Sequence, residues 1–74
     1  MDSREKYKIV GKNIKKIRED KNITQAQLAE ILGISVSYIS KIEAEKCYKS
    51  FSLDLIFRIS ELLDVNIVEF FKGI

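Results

Sequence analysis

Apolar residues recur along most of the chain at spacings of three and four residues, which is the period of an amphipathic α-helix. Val10, Ile14 and Ile17 show this spacing in its simplest form, although Gly11 is a poor helix former beside them. Strict two-residue alternation, the strand pattern, is absent over any useful length. We therefore predict an all-α, five-helix bundle in one domain of 74 residues, with helices at about 6–21, 25–32, 36–45, 53–63 and 67–71.

Capping and turn signals separate these segments. Thr24 followed by Gln27 has the spacing of a capping box, while Asn22 and Gly33 are residue types that tolerate the left-handed backbone at a helix end. Three further N-cap residues precede the later helices, namely Ser35, Ser52 and Asn66. Residues 1–5 are expected to form a short flexible tail ahead of a single domain over 6–74.

The corner at Gly33 joins two short apolar helices within three residues. Ala29 is small where the helices would cross, and Ile34 can fill the corner between them. The inward positions are spaced four and three apart, at Leu28, Leu32, Ile39 and Ile42. This is the skeleton of a helix-turn-helix, in which the second helix can enter the major groove of DNA.

Composition argues against several other classes of function. The chain has no histidine and a single cysteine, Cys47, so an internal disulfide, a zinc site and Ser-His or Cys-His nucleophile pairs are not expected. We predict no enzyme activity, no cofactor and no bound metal. The longest apolar runs are too short to span a membrane, and no signal peptide is expected at the charged N-terminus, so we predict a cytoplasmic protein.

Charge is unevenly distributed along the chain. Residues 1–49 carry 11 Lys and Arg against 7 Asp and Glu, whereas residues 50–74 carry 2 against 4. The first part could therefore face a polyanion while the last part faces another partner. Ordinary scatter of surface charge explains the asymmetry equally well, and charge alone leaves both interpretations open.

The stretches 24–30 and 33–43, together with 52–54 and 59–65, resemble the Cro and phage-repressor (XRE-type) helix-turn-helix family. The resemblance covers roughly residues 9–71 and combines the apolar skeleton, the caps and the later helices. It implies a lambda-repressor-like fold and a sequence-specific transcriptional regulator. Such a regulator binds a palindromic operator in double-stranded DNA as a homodimer.

The resemblance also implies particular DNA contacts. Gln25, at the start of the second helix, would donate to a phosphate, and Tyr38 would touch a phosphate or a thymine methyl group. Four residues would read bases from the third helix: Ser35, Val36, Ser37 and Lys41. The loop after that helix would add phosphate contacts from Lys46 and Lys49, although it lacks the glycine and proline usual in the family.

Two further implications concern structure and lineage. Arg18 and Glu43 match the positions of a family ion pair that holds the first helix to the third. Ser37-Tyr38-Ile39-Ser40 resembles a string in the controller proteins of restriction–modification systems, a branch of the same family.

Two adjacent phenylalanines near the C-terminus suggest a dimer. Neighbouring helical residues point about 100° apart, so one of Phe70 and Phe71 should pack inside and the other should be exposed. We predict a dimer interface formed by Val68, Phe70, Phe71 and Ile74. Core packing of both rings is the alternative.

A second class of function is a protein-interaction module on the same scaffold, such as an antitoxin-like partner. The two hypotheses differ in one measurable property, since DNA binding through phosphates weakens steeply with salt. No sensory domain is expected, so control would come from protein concentration through dimerisation or from a separate partner.

Overall fold

A computed structural model describes residues 1–45 and 50–74 of the chain. Over these residues it contains four α-helices, α1 (Ser3–Asp20), α2 (Gln25–Leu32), α3 (Val36–Glu43) and α4 (Leu53–Leu63), followed by a 3₁₀ helix, Ile67–Phe71. The all-α prediction is confirmed, but the fifth predicted helix is a single 3₁₀ segment. None of the described helices is long and apolar enough to cross a membrane.

Two helix boundaries differ from the prediction for identifiable reasons. α1 begins at Ser3, inside the segment predicted as a tail, because the carboxylate of Asp2 accepts a hydrogen bond from the backbone N–H of Glu5 at 3.0 Å. α3 ends at Glu43, two residues early, because Ala44 adopts an extended backbone (ψ 133°). The first helix is therefore longer than expected and the third is shorter.

The predicted caps are present. Thr24 and Gln27 form the complete capping box, with distances of 3.0 Å and 2.9 Å between their side-chain oxygens and the partner backbone nitrogens. Gly33 adopts a φ of 71° and Asn22 a φ of 59°, so both turns use the left-handed backbone. Ser35, Ser52 and Asn66 also accept N-cap hydrogen bonds. The turn at Gly33 and the cap at Ser35 set the direction in which α3 continues from α2.

The core lies where α1, α2, α3, α4 and the 3₁₀ helix meet. Leu28 and Ile59 are 0% exposed, Ile39 is 1% exposed, and Phe70 completes the core from the C-terminal segment. At the edge of the core, Tyr7 and Phe51 stack edge to face with ring centroids 4.9 Å apart. α3 packs on this core through Ile39 and Ile42, and its opposite face is exposed to solvent.

Gly11 is the point of closest approach between α1 and α3. A Cβ atom built on Gly11 would overlap the carbonyl oxygen of Ile42 and lie 3.1 Å from its carbonyl carbon. The sequence marks Gly11 only as a weak helix former, but its missing side chain is what allows α3 to pack this tightly on α1.

Two side chains, Asn13 and Arg58, make long-range hydrogen bonds that join separate elements of the fold. The Asn13 side-chain amide donates to the carbonyl oxygens of Phe70 and Lys72 at 2.8 Å and 2.9 Å, which fastens the C-terminal segment to α1. Arg58 donates to the Leu32 carbonyl at 2.6 Å and so satisfies the C-terminus of α2. The apolar pattern contains no signal for either contact.

We predict that Gly11→Ala destabilises the domain by about 1–3 kcal/mol, the usual cost of overpacking a tight contact. Helix propensity alone predicts the opposite sign, with alanine more favourable by about 1 kcal/mol. Urea unfolding of this variant beside Lys12→Ala, an exposed neighbour on α1, measures the difference. Unchanged or increased stability of Gly11→Ala would show that α1 and α3 do not pack this closely.

Candidate nucleic-acid interface

The outer face of α3 exposes the residues that the resemblance assigns to DNA bases. Ser35, Ser37 and Lys41 are exposed, and Val36 is 45% exposed. Tyr38 is half-buried at the edge of this face. The face therefore offers hydroxyl groups, one ammonium group and one small apolar side chain.

Ser35 has a structural role as well as an exposed position. Its Oγ accepts a hydrogen bond from the backbone N–H of Tyr38 at 3.0 Å, which caps α3. A capping hydroxyl uses one acceptor site and keeps its hydrogen available for donation. Ser35 can therefore fix the start of α3 and still donate to a phosphate or a base.

A buried ion pair links α1 to the C-terminal end of α3. Arg18 Nε donates to Glu43 Oε2 at 2.8 Å, and a second guanidinium nitrogen donates to Oε1 at 2.9 Å. Each residue is only 6% exposed. The hydrogen bonds that Arg18 donates to Glu43 raise the pKa of Arg18, while burial opposes the shift, so the guanidinium stays charged.

Arg18 and Glu43 also form hydrogen bonds at the start of α2. The remaining guanidinium nitrogen of Arg18 donates to the carbonyl of Ile23 at 2.6 Å, just before α2 begins. Gln25 Nε2 donates to Glu43 Oε1 at 2.9 Å. Gln25, which the resemblance assigns to a phosphate, therefore has its amide already directed by Glu43. Sequence spacing gives no sign of this contact, because the partners are eighteen residues apart.

A groove beside the C-terminal end of α3 carries the lysines of α1. Lys8, Lys12, Lys15 and Lys16 line it together with Glu5, Glu19, Glu43, Ala44 and Glu45. The acidic side chains offset part of the positive charge, so the groove is mixed in charge. Within the described residues, no group of three or more His, Cys, Asp or Glu side chains is arranged to hold a metal ion.

Two predicted loop contacts, Lys46 and Lys49, lie outside the described residues, as does Cys47. Their assignment to phosphate contacts stays a prediction from the sequence.

Of the two C-terminal phenylalanines one is buried and the other is exposed, as predicted for adjacent residues of a helix. Phe70 is 0% exposed, whereas Phe71 is 39% exposed. The prediction that Phe70 belongs to a dimer interface needs correction, because its own chain already encloses the ring. Val68, Phe71 and Ile74 remain on the surface, at 59%, 39% and 50% exposure.

We predict that Glu43→Ala costs about 3–5 kcal/mol of unfolding free energy, because it leaves the buried guanidinium of Arg18 unpaired. The double substitution Arg18→Met with Glu43→Leu removes both charges. Its free energy of unfolding should be no more than about 1 kcal/mol below that of the natural protein. Urea unfolding of both variants tests this. Equal losses would mean that packing, and not the unpaired charge, sets the cost.

Comparison with known proteins agrees with this arrangement. Residues 14–70 match the helix-turn-helix family, which is most of the chain. A Methanocaldococcus jannaschii protein, named as a candidate HTH-type transcriptional regulatory protein, is 40% identical over 67 residues, covering 90% of this chain. The chain spans 20% of the length of that relative. The match and the geometry around α2 and α3 together show that the chain belongs to the XRE-type helix-turn-helix family.

Proposed function

We propose that this chain binds double-stranded DNA in a sequence-specific way and regulates transcription. The observation that carries the proposal is the two-sided character of α3, whose inner residues are buried while its outer residues are exposed and, apart from Val36, polar. A helix of eight residues is about 12 Å long, and the major groove is about 12 Å wide and admits one helix. The buried Arg18–Glu43 pair holds this helix at a fixed angle to the rest of the domain.

The proposed contacts divide into base reading and positioning. Lys41 and Ser37 would donate to base edges, and Val36 would pack against a thymine methyl group. Gln25 and Tyr38 would contact phosphates and set the register without reading sequence. Ser35, Lys46 and Lys49 would add further contacts at the start of α3 and in the loop after it.

We further infer that the protein acts as a homodimer on a palindromic operator. An exposed apolar surface formed by Val68, Phe71 and Ile74 supports this, because a second copy would remove it from water. The two recognition helices would then lie about 34 Å apart, one turn of DNA. Acidic residues outnumber basic ones in residues 50–74. DNA would repel this negative charge, so this end of the chain is better suited to a contact with protein.

The relative from Methanocaldococcus jannaschii extends the proposal to regulation. It is named as a candidate transcriptional regulatory protein, and it is about five times as long as the matched segment. Occupying a site that overlaps a promoter would be enough to change transcription. Changes in protein concentration would then control binding through dimerisation.

Footprinting on the DNA upstream of the protein's own gene tests sequence-specific binding. We expect protection of an inverted repeat, and we expect Lys41→Ala to weaken specific binding by about 1–3 kcal/mol and to relax sequence preference at one position. Lys72→Ala is the matched control, because this exposed lysine lies in the C-terminal segment and pairs with Glu69. Equal effects of the two substitutions would contradict the assignment of α3.

Salt dependence distinguishes this function from a protein-interaction module. A domain that neutralises several phosphates loses affinity for duplex DNA steeply between low and moderate salt. A flat salt response, or no binding to duplex, would favour the antitoxin-like alternative.

We predict that Phe71→Ser shifts the protein from dimer to monomer in sedimentation equilibrium, because it removes the aromatic ring of the proposed interface. Ile31→Ser is the control, since Ile31 is also an exposed apolar residue, at 63%, but belongs to α2 and not to the C-terminal segment. A natural protein that is monomeric at all concentrations tested would contradict the proposed interface.

A further inference from the structure

Glu43 contacts a residue of the proposed DNA interface without lying in that interface itself. Its Oε1 accepts hydrogen bonds from both Arg18 and Gln25, each at 2.9 Å, and the carboxylate is almost fully buried. Gln25 is half-buried at the first position of α2. Glu43 therefore joins the end of α3 to the start of α2 through one oxygen atom.

This contact fixes which way the Gln25 amide faces. A carboxylate can only accept hydrogen bonds, so the nitrogen of the Gln25 amide, and not its oxygen, must face Glu43. The amide is planar, and the nitrogen carries two hydrogens. Once one hydrogen is held by Glu43, the direction of the second is set by the plane of the group.

The geometry points to Glu43 as a positioning residue that orders the Gln25 side chain before DNA arrives. This inference rests on the proposed function, in which Gln25 donates to a phosphate. A free glutamine side chain loses rotamer entropy on binding, and its oxygen would repel a phosphate in half of its amide orientations. Holding one N–H on Glu43 removes both costs, so the same ion pair that anchors α3 also prepares a phosphate contact on α2.

Gln27 provides an internal control for the structural part of the inference. Its side-chain oxygen accepts a hydrogen bond from the backbone N–H of Thr24 in the capping box. The oxygen of the Gln27 amide is therefore the group that is held, whereas in Gln25 it is the nitrogen. Hydrogen exchange of side-chain amides, measured by NMR on the natural protein without DNA, compares the two directly. We expect one Gln25 Nε2 hydrogen to exchange several-fold more slowly than those of Gln27. Equal exchange rates would overturn the inference, whatever the variants below show.

A double-mutant cycle tests the functional part. The four proteins are the natural chain, Gln25→Ala, the pair Arg18→Met with Glu43→Leu, and the triple variant that combines them. The probe is a mixed-sequence duplex of about two helical turns, because a phosphate contact does not depend on sequence. We expect Gln25→Ala to weaken binding about tenfold in the natural background, the scale of a hydrogen bond to a charged group.

The coupling between the two changes decides the result. If Glu43 positions Gln25, Gln25→Ala costs less than about twofold once Glu43 is gone, because an unordered amide contributes little. If Glu43 has only a structural role, Gln25→Ala costs the same in both backgrounds, which overturns the inference. Weak, salt-insensitive binding of the natural chain would instead overturn the proposed function itself, while the exchange measurement would still stand.

Discussion

A buried ion pair between α1 and the end of α3 is the interaction on which the rest of this structure depends. α3 has only eight residues, and an isolated helix of that length is not stable in water. Its inner residues, Ile39 and Ile42, attach it to the core, but apolar contacts alone set its direction loosely. Arg18 and Glu43 add directional hydrogen bonds at one end, and the cap at Ser35 fixes the other.

The close packing at Gly11 and the ion pair act on the same contact between α1 and α3. Gly11 lets the backbones approach at Ile42, which places the neighbouring Glu43 within reach of Arg18. The net stability that a buried pair of charges adds is small, because desolvation opposes the attraction between them. In this domain the ion pair holds α3 with its outer face exposed, while the amide of Gln25 lies half-buried against Glu43.

Local signals in the sequence predict most of the fold. The capping box at Thr24, the left-handed turn at Gly33 and the apolar spacing of α2 and α3 each depend on residues within one or two turns. The contacts that the sequence leaves hidden join residues far apart in the chain, as between Asn13 and the carbonyl of Phe70 or between Gln25 and Glu43. The start of α1 differs from the prediction for a smaller reason, because a single cap at Asp2 extends the helix to Ser3. The role of Phe70 was wrong because apolar periodicity cannot say which of two adjacent rings the core encloses.

An NMR titration with duplex DNA tests the central claim, that the outer face of α3 is the recognition surface. Backbone amides of residues 35–41 and the side-chain amide of Gln25 should shift together at low salt, and the shifts should weaken as salt is raised. The C-terminal segment around Phe71 should change little. Shifts confined to that segment, with α3 unaffected at saturating duplex, would contradict the account.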